Sequence, residues 1–284
     1  MDATKVLQKE FVVESNEPAA EGIFRMRIRS DVAYTMKPGQ FMNLSVPGDA
    51  SHILRIPLSF SRIDAIGGSV ELLYAVVGEG TRRLSDMRPG DTSTVVGPCG
   101  RGWSLPAGEG RALLVAGGIG LPPILACARM LAQAGIGFDV VIGARTHDML
   151  VFPEVDDVLH YGGVMLPENG WEGGYDPNRV VIHTTDDGST GSDRQGKPMY
   201  ATDAMADLLK TNDYAQVYTC GPTVMMSGVA RLAMDKDIPC QVSMERLMGC
   251  GFGACSCCNV ALAKGGYALC CQDGPVFDAR EVAW

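Results

Sequence analysis

The residues with the most distinctive chemistry crowd toward the C-terminus. Cys250, Cys255 and Cys258 stand in a C-x4-C-x2-C run, and the doublet Cys270–Cys271 follows after a gap closed by Gly265 and Gly266. Thiolates at these separations match the plant-type [2Fe–2S] pattern, in which a short loop wraps a cluster and a distant cysteine closes the fourth position. Gly251 and Gly253 suit such a loop, because backbone that turns its N–H groups toward sulfur needs positive φ, which glycine reaches without strain. A second doublet, Cys257–Cys258, is resolved in favour of Cys258 by the x2 spacing. The spacing alone leaves Cys270 and Cys271 open. Structural zinc prefers two separated C-x2-C knuckles, which are missing here, and ordinary buried thiols are the remaining alternative.

Two glycine-rich turns carry a different chemistry. Gly117, Gly118 and Gly120 follow an apolar strand and precede a helical stretch, a place where a pyrophosphate approaches bare backbone at the positive end of a helix. GGIG falls short of the full dinucleotide fingerprint, and a tight turn explains it as simply. Cys220-Gly221-Pro222 repeats the arrangement, so both turns are expected at the carboxyl edge of one parallel sheet, where ligands bind. Gly78, Gly80 and Thr81 open a further turn ahead of a short helical segment at 82–86. By themselves these three read as a plain turn beside exposed arginines.

No acid–base or nucleophilic machinery is visible. The four histidines, at 52, 147, 160 and 183, are scattered, and Ser59 and Ser61 lack a nucleophile elbow. Electron and hydride transfer needs neither, because cofactors do the bond chemistry and the protein positions them.

These residues have to be held by 284 residues, enough for about two ordinary domains. A hydrophobic fraction of 46% with 20% charged residues describes a globular chain. The net charge of −9 argues against a nucleic-acid partner. Ten cysteines behind a charged N-terminus without an apolar export core fit a reducing interior, and the longest apolar run, 112–128, is broken by glycines and prolines. The expectation is a cytoplasmic protein with no membrane span.

Short β-rich segments at 6–13, 22–28, 40–46, 53–62, 70–77 and 92–96, punctuated by Pro38–Gly39 and Pro89–Gly90, predict a small antiparallel barrel. From residue 110 the pattern changes. Strands at 112–116, 138–143, 179–184 and 216–219 alternate with helices at 122–134, 202–210 and 223–235, the signature of a parallel α/β sheet. Residues 155–178 read as an irregular excursion with a short helix near Asp156. The expected architecture is multidomain β plus α/β: a barrel over 1–105, a nucleotide domain over 106–243 and an iron–sulfur module over 244–284.

A barrel, an α/β domain with GGIG and CGP turns, and a cysteine-rich C-terminus in this order resemble the ferredoxin–NADP reductase superfamily. Pro38-Gly39-Gln40-Phe41, Gly78-Glu79-Gly80-Thr81, Asp186-Asp187-Gly188-Ser189 and Cys271-Gln272-Asp273-Gly274-Pro275-Val276-Phe277 narrow the resemblance to the electron-transfer subunits of two-subunit, NAD-linked dihydroorotate dehydrogenase. The resemblance implies Cys271 as the fourth ligand beside Cys250, Cys255 and Cys258. It implies FAD on the barrel, with Arg55, Pro57, Leu58 and Ser59 in the flavin-binding segment, Leu58 and Ser59 along the isoalloxazine, and the turn of Gly78, Gly80 and Thr81 at its pyrophosphate. It also implies NAD(H) at Gly117, Gly118, Gly120, Cys220, Gly221 and Pro222, with Cys220 either near the nicotinamide or merely a small residue before the turn. The implied partner is an FMN-containing subunit that oxidises dihydroorotate, in a heterotetramer. Electrons would pass from it through the cluster and FAD to NAD+. One departure concerns the family arginine, whose place is taken by Ile56. Arg55 lies one residue earlier, on the opposite face of a strand, so Arg62, Arg82 or Arg83 would have to meet the phosphate. The small flavin subunit of an NADH-dependent ferredoxin–NADP reductase or hydrogenase complex shares these motifs and is the alternative.

Overall fold

The computed structural model describes residues 6–46, 54–151, 179–191 and 196–284. Two compact units emerge: one combines residues up to Trp103 with Ser243–Phe277 and Ala283, the other Ser104–Val242 with Asp278–Val282 and Trp284. The cysteine-rich segment thus belongs to the same unit as the N-terminal strands.

In the first unit, β1 (Leu7–Ala20), β2 (Ile23–Arg29), β3 (Phe41–Leu44), β4 (Ile56–Ser59), β5 (Arg62–Asp64), β6 (Ser69–Ala75) and β7 (Thr92–Cys99) form a seven-stranded sheet in the order β4-β3-β7-β1-β2-β6-β5. Its paired strands run antiparallel. β4 and β5 lie at opposite ends of that order yet are joined only by Phe60 and Ser61, so the sheet has to curl until its edges approach, giving a half-barrel. This explains why the single strand expected at 53–62 is two: Ser61 turns its N–H onto the Glu71 carbonyl and the chain changes pairing partner.

β1 outruns the expected 6–13 because it serves two neighbours. Leu7–Val12 pairs with β7, while Val12–Ala20 pairs with β2 around a register shift at Glu14. Such a shift re-aims the extra residue. The Glu14 carboxylate accepts from Arg27 Nε (2.8 Å), Arg29 Nε (2.7 Å) and Ser69 Oγ (2.9 Å). Beneath the strands Phe11, Met26, Ile28, Met42, Leu44, Leu72 and Tyr74 form the core. Asn16 accepts from the Tyr74 hydroxyl and donates to the carbonyls of Leu84 and Met87, which satisfies the end of the short helix α1 (Glu79–Ser85).

The second unit alternates β8 (Ala112–Gly117), α2 (Leu121–Gln133), β9 (Phe138–Ala144), β10 (Val181–Thr185), α3 (Ala201–Thr211), β11 (Gln216–Cys220), α4 (Thr223–Asp235) and β12 (Cys240–Ser243). Its strands run β10-β9-β8-β11-β12, with β8, β9, β10 and β11 parallel. The order therefore reverses between β8 and β11, making a topological switch point where crevices open at the carboxyl ends of strands. β8 and β9 are fully apolar runs with one exception, Asp139, as befits strands covered on both faces.

The C-terminal segment adds the small hairpin of β13 (Asn259–Ala261) and β14 (Tyr267–Leu269), then β15 (Val276–Asp278). Among the described residues no helix is long and apolar enough to cross a membrane. The excursion at 155–178 and its short helix lie outside the described residues.

Candidate functional site

The loop after Cys250 is built from unusual backbone. Gly251 and Gly253 have φ of +81° and +86°, and Ser256, which is not glycine, has φ of 52°. Successive residues of this kind turn their amides to one side and form a concavity that attracts anions. Burial pushes the Cys250 thiol up, but N–H groups of Phe252, Cys255 and Ala254 and the Cys255 side chain outweigh it and bring the pKa down to about 7. Glycine is also demanded by space: a Cβ at 251 would collide with the Asn43 side chain, and one at 253 with Gln272.

Cys258 is buried, with 2% of its surface exposed. Its Sγ accepts the Cys271 N–H at 3.4 Å, and its carbonyl accepts the Cys270 N–H at 2.9 Å. Burial first, then the Cys258 thiol beside it, pushes Cys271 up to about 12. The members of the doublets differ in their surroundings, although Cys255 and Cys257 are both exposed and Cys258 lies near Cys270 as well as Cys271. Cys270 donates to the Met244 carbonyl at 3.1 Å, and Cys257 is exposed. Cys250 meets Cys255, Cys258 meets Cys271, and Cys250 is near enough to Cys271 to raise its pKa. Among the described residues no three His, Cys, Asp or Glu side chains already form a metal-ligating group; the thiols come as two pairs. Two pairs of thiols, with backbone donors gathered around Cys250, fit a [2Fe–2S] cluster, which takes two thiolate ligands on each iron.

The following C-x-D-G-P-V-F segment is tied to the half-barrel. Arg101 donates its N–H to the Gly274 carbonyl and its guanidinium lies 3.9 Å from Asp273. A Cβ at Gly100 would strike Gly274 and Pro275.

On the half-barrel, Pro57, Leu58 and Ser59 lie on β4 opposite Asn43, Met42 and Phe41. Arg55 donates to the Thr94 carbonyl (2.9 Å), Thr94 Oγ1 (3.0 Å) and Gln8 Oε1 (3.3 Å), so its guanidinium is spent on neighbouring strands. Thr81 Oγ1 accepts from the N–H groups of Val77 (2.9 Å) and Gly78 (3.1 Å), closing the turn ahead of α1. Gly80 is buried within it. Arg82 and Arg83 both pair with Glu79, while Arg62 sits in β5.

In the second unit the two glycine turns touch. β8 and β11 are adjacent with Ala116 opposite Cys220, so GGIG and CGP leave the sheet side by side. A Cβ on Gly120 would meet the Cys220 carbonyl, one on Gly117 would meet Pro222 and Met225, and one on Gly221, at φ +154°, would meet Gly117. Here the glycines serve the close approach of two turns. Gly118, at φ +52°, has open space beside it, and the buried Cys220 sits at the strand end.

Sequence reasoning did not find Asn43 or Cys99, both buried in the half-barrel next to the cysteine loop. The one signal for Asn43 was a polar residue inside the apolar run Phe41–Leu44.

Residues 245–283 match the family model described as the iron–sulfur cluster binding domain of dihydroorotate dehydrogenase B. Along nearly its whole length, the chain is 34% identical over 280 residues to the dihydroorotate dehydrogenase B (NAD(+)) electron transfer subunit of Geobacillus sp. (strain WCH70), covering 97% of this chain and 98% of the relative. The chain belongs to this family. The electron transfer subunit of Fusobacterium nucleatum is similar at 31% identity over 96% of the chain and 98% of its own length. Among solved structures, one of the NADH-dependent reduced ferredoxin–NADP oxidoreductase superposes with a TM-score of 0.78 at 30% identity, covering 100% of this chain and 92% of that one. A ferredoxin reductase of carbazole 1,9a-dioxygenase, at 22% identity and TM-score 0.62, shares the fold. The family membership agrees with the resemblance read from the motifs, and the antiparallel half-barrel followed by a parallel α/β sheet agrees with the expected fold class.

Proposed function

We propose that this chain is the electron-transfer subunit of a dihydroorotate dehydrogenase, working beside an FMN-containing catalytic subunit that converts dihydroorotate to orotate in pyrimidine biosynthesis. A heterotetramer in the cytoplasm is the assembly we favour. The observation that carries this reading is the pair of thiol pairs, Cys250 with Cys255 and Cys258 with Cys271, in a chain alike from end to end to such subunits.

Held by these residues, a [2Fe–2S] cluster would supply one-electron exchange, FAD would supply the conversion between single electrons and pairs, and NAD+ would supply the hydride acceptor. The chain's own residues do the holding. Cys250, Cys255, Cys258 and Cys271 are the cluster ligands, and the amides of residues 252, 254 and 255 stabilise negative charge on sulfur. Pro57, Leu58 and Ser59 offer a strand face to the flavin ring. Gly78, Gly80 and Thr81 offer a turn to its diphosphate. Arg55 acts at a distance, fixing the start of β4 through Thr94. Gly117, Gly118 and Gly120, with Cys220, Gly221 and Pro222, shape the switch-point crevice for NAD(H).

The test is anaerobic purification of the tagged chain with its native partner, followed by assay of dihydroorotate-dependent NAD+ reduction. Activity with an FMN-bearing partner is expected. The 30% identity to the NADH-dependent reduced ferredoxin–NADP oxidoreductase structure favours a second reading, the small flavin subunit of such a complex. A partner rich in further iron–sulfur clusters that reduces ferredoxin and ignores dihydroorotate would move the chain there.

A further inference from the structure

Asn43 is 1% exposed, in the middle of β3, yet neither Nδ2 nor Oδ1 has a hydrogen-bond partner among the described residues. Buried amides left this way are rare in folded proteins, because each lost bond to water goes uncompensated. Its direction is plain: the amide nitrogen crowds the Cα of Gly251, so closely that any Cβ there would overlap it. Gly251 directly follows Cys250. The same floor holds Cys99, near enough to Cys250 to feel its charge, but the Cys99 thiol is already committed to the Val96 carbonyl at 3.5 Å. Compared with Cys99, the Asn43 amide still has donors to give.

β3 has a second neighbour that matters. Asn43 lies opposite Pro57 of β4, the strand proposed to carry the flavin. One residue of the half-barrel thus borders both the flavin strand and the cysteine loop, within a single compact unit.

We propose that Asn43 is a positioning residue for the iron–sulfur centre, its side-chain amide donating a hydrogen bond to sulfur held in the Cys250–Cys255 loop. This rests on the cluster reading given above. A neutral donor to sulfur favours the more negative, reduced form, so Asn43 raises the reduction potential of the centre. It thereby favours electron arrival on the side facing the flavin strand.

The experiment is an EPR-monitored redox titration of the purified complex carrying Asn43→Leu, which keeps side-chain volume and removes the donors. Iron content and flavin potential are read in parallel. At a fixed ambient potential the ratio of reduced to oxidised cluster is expected to fall about tenfold, about 59 mV for a one-electron couple. The flavin potential should stay unchanged, and an exchangeable-proton coupling to the cluster should disappear. Thermal stability separates this from a packing role: removing an unsatisfied amide should leave the cluster-free chain as stable or more so, and lower stability only when the cluster is bound. If Asn43→Leu does not load iron, Asn43→Ala is read in the same way. An unmoved cluster potential in an iron-replete variant, a shift in the flavin potential alone, or equal destabilisation with and without cluster would each overturn the proposal. A wild-type complex without a [2Fe–2S] signal would instead overturn the cluster reading beneath it.

Discussion

Asp139 and Asn43 are equally well buried polar residues, at 2% and 1% exposure, and their surroundings are opposite. Asp139, on β9 in the parallel sheet, accepts from Arg111 Nη2 at 2.6 Å, the Tyr214 hydroxyl at 2.8 Å and the Val180 N–H at 2.8 Å. Every bond it needs comes from its own unit. Asn43, on β3 under the cysteine loop, receives none from the described residues. A saturated buried polar group tells of architecture, since it joins strand, helix connection and loop. An unsatisfied one beside a ligand loop tells of something still to be held. The same division separates the thiols: Cys127 inside α2 is driven far up by burial alone, while backbone donors bring Cys250 to about 7.

The strongest way to break this contrast is to remove the ligand. Cys258→Ser should abolish the visible cluster absorption and reduce iron to background, whereas Cys270→Ser, whose thiol serves the Met244 carbonyl, should keep both. Iron analysis of the two purified variants decides it, and equal loss would merge the doublets. Next in size is the saturated side. Asp139→Asn strips the charge that Arg111 and Tyr214 are arranged around and should cost about 2–3 kcal/mol in denaturant unfolding of the chain, with iron content unaffected.

A matched pair of glycines sharpens the comparison within the first unit. Gly251 and Gly265 have nearly the same φ, +81° and +87°, but only the first has a neighbour in the way. Gly265→Ala should cost about 1–2 kcal/mol of left-handed strain, while Gly251→Ala adds the collision with Asn43 and should also lower cluster occupancy. Iron per chain in the two variants, measured beside their melting temperatures, checks the difference. The smallest effect belongs to Glu14. Burial raises its carboxyl, but hydrogen bonds from Arg29 and Ser69 and the charges of Arg29 and Arg27 win and hold it below its ordinary value. Its stabilisation is therefore present above the ordinary carboxylate range and disappears as pH falls through the lowered folded value. Glu14→Gln should cost less than about 1 kcal/mol at neutral pH and flatten the acid limb of a melting-temperature profile.

Some features were legible at the level of spacing. The run from Cys250 to Cys258, the change from short strands to strand–helix alternation near residue 110, and the helix at 223–235 depend on local pattern, and local pattern survives folding. The boundary at residue 62 did not read correctly, because where a strand changes partners depends on the curl of a whole sheet. Arg55 directly precedes β4 in the sequence, yet Thr94 and Gln8 take its guanidinium in space.

By itself, then, the sequence determined which residue types could do chemistry and in what order: thiols at ligand spacing, glycines before helices, and a motif-bearing tail that marks the family. Only the tertiary structure decided that the strand expected at 53–62 splits in two, that the Arg55 guanidinium goes to Thr94 and Gln8, and that a strand asparagine 208 positions before Gly251 lies against it. The physical reason is range. Spacing along the chain constrains neighbours within a few residues, while hydrogen-bond satisfaction of a buried group is settled by whatever distant segment packs over it.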